Sequence, residues 1–233
     1  RIPYERPALD EEFHIRKEDY FRENGGIIFP NPNAPTGVYM PLDQVEEILK
    51  ANQDVVVIVD EAYVDFAGPS ALELLDKYEN LLVVQTFSKS RSMAGMRIGF
   101  AMGHPDLIRA LNDVKYSYNS YTMNLPSLLA GVEAVKDKEY FEKTIEKIVA
   151  TRERAKKRLT ELGFTFPNSQ SNFIFASHKS VPAGKIFEAL KKEQIYVRYF
   201  KTPGLDNSLR ISIGTDEEMD TLFRFLEAYL PNA

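Results

Sequence analysis

Four short stretches hold the residue types from which a catalytic site can be built. Thr86-Phe-Ser-Lys89, with Arg97 further on inside Gly95-Met-Arg-Ile-Gly99, gathers two hydroxyls, an amine and a guanidinium. That set suits a phosphate, because a planar guanidinium grips two oxygens at once. Alone it is moderate testimony, since one lysine among 29 Lys+Arg is ordinarily surface charge. Asp60-Glu-Ala-Tyr63 closes a very apolar run and offers a carboxylate and a phenol; an acid in that place is also a common helix cap. Asn31-Pro-Asn-Ala-Pro-Thr-Gly37 follows another apolar run and, taken alone, is a turn. Leu209-Arg-Ile-Ser-Ile-Gly214 sets an arginine in an apolar strand, where it either snorkels to water or is aimed at an anion.

The elements that must position these residues follow from hydrophobic periodicity. Short apolar runs at Gly26–Phe29, Val55–Val59, Leu81–Gln85 and Arg97–Met102 alternate with amphipathic segments, the pattern of a mostly parallel sheet with crossover helices. Each of the first three chemical stretches then lies just beyond the C-terminal end of a strand, where open α/β sheets bind ligands. Asp43 as N-cap and Glu46 as its capping-box partner predict a crossover helix with Val45, Ile48 and Leu49 on one face. After the Tyr/Asn/Ser stretch Tyr116–Asn124, a long helical region is predicted from about Pro126 to Leu162. Strands at Asn172–Ala176, Ile195–Arg198 and Leu209–Ile213, a helix at Ala183–Lys192 and a last helix capped by Thr215 and Glu218 complete a smaller α+β pattern. The domain change is expected near residues 135–150, giving a larger domain over 1–138 and a C-terminal one over 139–233.

Composition narrows the chemistry. The 233 residues are 44% hydrophobic, so a real core is expected. A net charge of −5, spread without single-sign blocks, speaks against nucleic acid or an anionic membrane as partner. With no cysteine, disulfides, thiolate nucleophiles and zinc-thiolate sites are excluded. His14, His104 and His178 are too far apart for a local ligand motif, so no metal is expected and each is read as a surface or helix-end residue. No apolar run approaches the ~18 residues of a membrane span, and no basic-then-apolar signal opens the chain, so the cytoplasm is the expected address.

Together the four stretches fit one chemistry. An enzyme using pyridoxal 5′-phosphate (PLP) needs a lysine for the Schiff base, a carboxylate at the pyridine nitrogen, a donor at the phenolic oxygen and an anion clamp for the phosphate. The ordered set NPxxPTG, DEAY, TFSK and GxRxG, spanning Asn31 to Gly99, resembles the fold-type-I, PLP-dependent aminotransferases, and LRISIGT extends the resemblance over nearly the whole chain. The resemblance implies the aspartate-aminotransferase-like fold, with a mostly parallel large-domain sheet and a smaller α+β domain. It makes Lys89 the Schiff-base lysine and proton carrier, pairs Asp60 with the pyridinium nitrogen and Tyr63 with the phenolic oxygen, and gives the cofactor phosphate to Thr86, Ser88 and Arg97. Arg210 matches the family arginine that grips the substrate's anionic group. Ala34 departs from the pattern: it stands where the family has an asparagine, and an alanine cannot donate to the phenolic oxygen. Tyr63 alone, or Asn33 beside it, is left for that task.

Val197-Arg198-Tyr-Phe200 and, less specifically, Ser90-Arg-Ser-Met-Ala-Gly95 resemble the histidinol-phosphate branch of that family. Histidinol phosphate has no α-carboxylate, so its phosphate must be gripped instead, and two arginines, Arg198 and Arg210, suit a dianion better than one. The same pair would accept glutamate or 2-oxoglutarate; the competing reading of Arg198 is a structural ion pair. Alternatives are another fold-type-I enzyme, such as an aromatic aminotransferase or an amino-acid-phosphate decarboxylase, and a non-catalytic fragment. The family arm, phosphate-binding glycine loop and ring-stacking aromatic are not found before Asn31, and the chain opens on Arg1, so the natural protein is expected to be longer. A homodimer is expected, with Tyr116-Ser-Tyr-Asn-Ser-Tyr121 either near its interface or an ordinary polar loop.

Overall fold

Three of the apolar runs become parallel strands, β1 (Ile27–Pro30), β2 (Val57–Asp60) and β3 (Leu81–Thr86), in a computed structural model that describes residues 2–233. β2 lies between β1 and β3, with Ile27 opposite Val57 and Val57 opposite Leu81. The helix α1 (Leu42–Ala51) connects the first two strands and buries Val45, Ile48 and Leu49 completely. It packs on Ile27, Phe29, Val57, Val59, Leu81 and Val83, the core of this unit. Its N-cap is Pro41, without a side-chain cap bond, in place of the expected Asp43. Asp43 instead sits in the first turn, where its charge favours the helix dipole. Glu46 turns away from the helix start to accept from the Tyr78 hydroxyl at 2.7 Å.

The fourth strand, β4 (Gly99–Gly103), runs antiparallel to β3, with Thr86 opposite Gly99. The connection holding Lys89 is therefore a return loop and not a crossover helix, which a parallel continuation would require. The strand begins two residues later than predicted because Arg97 is left-handed, at φ 58°, and breaks the extended run.

A helix not among those predicted, α2 (Pro105–Tyr118), starts from a His104 side-chain cap with Pro105 at its first position. The long helical region is two helices: α3 (Leu125–Lys136) and α4 (Lys138–Glu161) break at Asp137, whose carboxylate accepts the Tyr140 amide at 3.2 Å. No residue of α2 is buried. Leu111, Val114, Leu128, Leu129, Val132 and Val135 stay exposed along α2 and α3. Ile28 of β1, 68% exposed, faces away from the core, although a largely parallel sheet ordinarily has both faces covered.

Contacts divide the chain into two compact units, one running to Asn33 and resuming over Tyr39–Glu142, the other made of Ala34–Val38 with Lys143–Ala233. In the second unit β5 (Phe164–Thr165), β6 (Phe173–His178), β7 (Arg198–Tyr199) and β8 (Leu209–Ser212) form an antiparallel sheet ordered β5-β6-β8-β7. The predicted strand Ile195–Arg198 is thus shorter and shifted to Arg198–Tyr199. Helices α4, α5 (Ala183–Lys192) and α6 (Asp216–Tyr229) supply Leu159, Ile186, Leu190, Leu222 and Phe223 to its core. The predicted capping box opens α6: Glu218 N–H donates to Thr215 Oγ1 at 3.3 Å and Thr215 N–H to Glu218 Oε2 at 2.8 Å. His178 corrects the surface reading: it is 8% exposed, with Nε2 at 3.0 Å from Leu162 O and Nδ1 accepting the Val181 amide at 3.0 Å. Gly37 belongs to this unit at φ 77°, its carbonyl accepting the Gln170 amide at 2.8 Å.

Candidate active site

Strands β2 and β3 carry their chemical residues to one edge of the first sheet. Asp60, the last residue of β2, lies opposite Pro30 of β1 and Val84 of β3. Its Oδ1 accepts the Ala62 amide at 3.0 Å, closing a tight turn. Its Oδ2 has no hydrogen bond among the described residues, so half of this partly buried carboxylate remains available. Alternation along β2 buries Val57 and Val59 and, carried on past the strand, buries Glu61 to 2% exposure. Glu61 also extends the ladder, its amide donating to Val84 O at 2.8 Å.

Beyond β3 the chain turns on Thr86, whose Oγ1 accepts the Ser88 amide at 3.1 Å and lies 3.0 Å from both Ser88 Oγ and Ile98 O. The two hydroxyls predicted to hold phosphate are thereby adjacent. Lys89 is exposed, and its Nζ stands 5.3 Å from the centroid of the Tyr63 ring, within cation–π range. Ser90 next to it is 3% exposed and donates its hydroxyl to Asp65 Oδ2. Arg91 lies over the Phe87 and Phe141 rings, 5.2 and 4.1 Å away, and donates to Ala134 O, fastening the turn to α3. Arg97 is exposed and commits one nitrogen to Ala94 O at 2.9 Å.

Glu61 is a buried carboxylate among three hydrogen-bond donors. Burial pushes its carboxyl above the usual range, against the opposing pull of hydrogen bonds from Ser70, Ala71 N–H and Gln85, and the Asp65 charge pushes the same way as burial. Its Oε2 accepts from Ser70 Oγ at 2.5 Å and Gln85 Nε2 at 2.9 Å, and its Oε1 from Ala71 N–H at 2.6 Å. It therefore ties the segment after β2 both to β3 and to the following turn. Nearby, burial lifts the Tyr39 phenol to about 12, aided by the Glu61 and Glu73 charges.

The NPxxPTG stretch has a structural task. Asn31 is 1% exposed and devotes both amide atoms to Met40: Nδ2 donates to its carbonyl at 2.9 Å and Oδ1 accepts its amide at 2.7 Å. Asn33 is buried and Ala34 exposed.

In the second unit Arg198 and Arg210 face each other in register on β7 and β8. Both lie over the Phe200 ring, at 5.3 and 5.9 Å, and Arg210 also over Phe173 at 5.1 Å. Neither has a carboxylate partner among the described residues, and the buried Nε of Arg210 has no hydrogen bond. Like charges directly opposite across a strand pair are unfavourable, so the pair is poised to gain from an anion.

Glu61 and Ser90 entered the sequence reading only as members of longer stretches, without a role of their own, and Asp65 not at all. The burial of Glu61 was readable by extending the β2 alternation by one residue, whereas the pairing of residues 65 and 90 has no local signal.

The sequence profile of the aminotransferase class I and II family matches residues 1–226. A histidinol-phosphate aminotransferase of Brachyspira hyodysenteriae is 52% identical over 225 residues, covering 96% of this chain and 64% of that protein. The chain thus spans less than two thirds of that relative. Among solved structures, the histidinol-phosphate aminotransferase of Clostridium acetobutylicum superposes with a TM-score of 0.89 at 25% identity, covering 97% of this chain and 70% of that one. The Sinorhizobium meliloti histidinol-phosphate aminotransferase, solved in complex with pyridoxal 5′-phosphate, gives 0.76 at 27% identity, covering 89% and 56%. The fold is that of the aspartate-aminotransferase-like transferases, and the chain, with its lysine, carboxylate and phenol beyond adjoining strands, belongs to the aminotransferase class I and II family.

Proposed function

We propose that the protein transfers an amino group between histidinol phosphate and 2-oxoglutarate with pyridoxal 5′-phosphate as cofactor, Lys89 being the amine that bonds its aldehyde. The observation that carries the cofactor is the exposed Lys89 amine over the Tyr63 ring, beside the Thr86–Ser88 hydroxyls. The donor set fits the cofactor's chemistry group by group. Asp60 Oδ2, without a hydrogen bond among the described residues, would hold a proton on the pyridine nitrogen, and Tyr63 would donate to the ring oxygen without help from Ala34. Thr86, Ser88 and Arg97 would bind the phosphate. When bound, the ring supplies a sink for the electron pair left at the substrate's Cα. Lys89 Nζ would take and return the proton at that carbon, and Asp60 would keep the ring nitrogen charged.

The substrate assignment rests on the Arg198–Arg210 pair. Two guanidiniums directly opposite each other, without a carboxylate partner among the described residues, match a phosphate dianion. They also accept the carboxylates of glutamate and 2-oxoglutarate in the return half-reaction. Residues 1–138 are the cofactor-binding domain in this reading and 139–233 the small domain. We place the protein in the cytoplasm as a homodimer; the exposed apolar side chains of α2 and α3 support burial against further polypeptide.

The test is to incubate the chain with the cofactor, histidinol phosphate and 2-oxoglutarate and to measure glutamate. Glutamate formed by the chain and lost in Lys89→Ala is the expected result. Attachment of the cofactor at Lys89 with no glutamate from histidinol phosphate, but glutamate from an aromatic amino acid, would reassign the substrate.

A further inference from the structure

Tyr63 sits in a segment fastened at two points. Before it, Glu61 ties the chain to β3 and to Ala71. After it, the short turn Val64–Phe66 buries Val64 and Phe66, at 6% and 1% exposure, and leaves Asp65 on the outer side. Asp65 there receives the hydroxyl of Ser90. On the other side of that bond, Ser90 is buried while its neighbour Lys89 is exposed. The two adjacent residues thus point opposite ways from one backbone. Fixing the inward side chain at 90 fixes the rotation of the peptide that aims the outward one at 89, and that outward amine is the group over the Tyr63 ring. Ser92 N–H to Lys89 O at 3.1 Å, Met93 N–H to Phe87 O at 3.0 Å and Arg91 to Ala134 O also fasten the turn, and none of these three bonds reaches the Tyr63 segment.

We propose that Asp65 and Ser90 form a positioning pair whose hydrogen bond couples the tyrosine turn to the lysine turn and so sets the aim of the Lys89 amine toward the cofactor aldehyde. Neither residue touches the reacting atoms. The pair acts through its neighbours, Ser90 through Lys89 and Asp65 through Tyr63. This rests on the reading of Lys89 as the cofactor lysine. Asp65 is exposed, so removing the serine hydroxyl leaves a carboxylate that water can solvate, and the fold is expected to survive the change.

The experiment uses the full chain with pyridoxal 5′-phosphate as the probe, comparing wild type, Ser90→Ala, Asp65→Ala, the double variant and Lys89→Ala. Three quantities are read: the cofactor dissociation constant, the induced circular dichroism of the bound ring, and the urea midpoint without cofactor. Each single variant is expected to weaken cofactor binding about five- to tenfold and to reduce the induced dichroism, with little change in the urea midpoint. The double variant is expected to be no worse than either single one, the mark of residues acting as a unit. Singles that lower the urea midpoint but leave affinity and dichroism unchanged would make the pair merely structural and overturn the proposal. Additive losses in the double variant would overturn the pairing. A wild-type chain whose spectrum with the cofactor equals that of Lys89→Ala would overturn the cofactor reading and the pair with it. A Lys89-dependent spectrum indifferent to Ser90→Ala would overturn the pair alone.

Discussion

Replacing Glu61 by alanine should be among the most damaging single changes in the first unit. The side chain is 2% exposed and is the shared acceptor for Ser70 Oγ, Gln85 Nε2 and the Ala71 amide. Alanine strips three donors of their partner; each unsatisfied buried group costs roughly 1–3 kcal/mol, and Ser70 and Gln85 are partly reachable by water, so the loss is about 3–5 kcal/mol. That is a large share of the ~5–15 kcal/mol that a domain typically has. Glutamine keeps the shape but replaces one acceptor oxygen by an NH2 donor among the same three donors, a loss of about 1–2 kcal/mol. The pH dependence has a definite sign. Burial raises the folded-state carboxyl above its ordinary value of 4.5, so the folded protein holds this proton more tightly than the unfolded chain. The stability contributed is full below the ordinary value and is lost as pH rises through the folded one. Glu61→Gln, which cannot ionise, should therefore lose its disadvantage in part as the pH is raised from about 4 through that window. Urea unfolding followed by circular dichroism at several pH values measures both effects. A Glu61→Ala chain within about 1 kcal/mol of wild type, or a Gln variant whose deficit ignores pH, would refute the reasoning.

Gly37→Ala should destabilise by about 2–4 kcal/mol, read as a shift of the urea midpoint. A Cβ there meets a left-handed backbone at φ 77° and lies 2.3 Å from the Ser169 hydroxyl, which is itself held by Phe173 O. Tyr39, which donates to Pro69 O at 2.5 Å, should titrate near 12 in an ultraviolet titration, and Tyr39→Phe should remove that component. Because the folded phenol is raised, its stabilisation is full below the ordinary 10 and vanishes as pH climbs toward 12. Arg198→Ala should weaken histidinol phosphate binding at least about tenfold while leaving cofactor affinity unchanged. It should not lower the urea midpoint, since it relieves a like-charge pair; equal losses for substrate and cofactor would make the arginine structural.

The strands that carry the candidate site were legible because their apolar runs are long enough to announce themselves and end at the stretches proposed to bind the cofactor. What the local pattern did not carry was direction and distance. β4 is antiparallel because the chain returns through the Lys89 loop, and nothing in its composition states which way it runs. The Asp43 cap was misplaced because Pro41 already fixes the backbone conformation from which α1 starts. α2 carries its own sequence signal, Leu107, Ile108, Leu111 and Val114 at helical spacing behind Pro105, and was passed over in favour of the longer helical pattern that follows it. The facing of Arg198 and Arg210 depends on an irregular stretch between β7 and β8, and that of Asp65 and Ser90 on two turns far apart in sequence. Both are products of packing and lie beyond any window of a dozen residues.

The central claim, that Lys89 is the residue which bonds the cofactor, is tested most directly by adding pyridoxal 5′-phosphate to the chain, reducing with borohydride and mapping the modified peptide by mass spectrometry. One equivalent of label is expected on the peptide containing Lys89, and none on that peptide in Lys89→Ala. Label spread over surface lysines, or persisting undiminished in the variant, would contradict it.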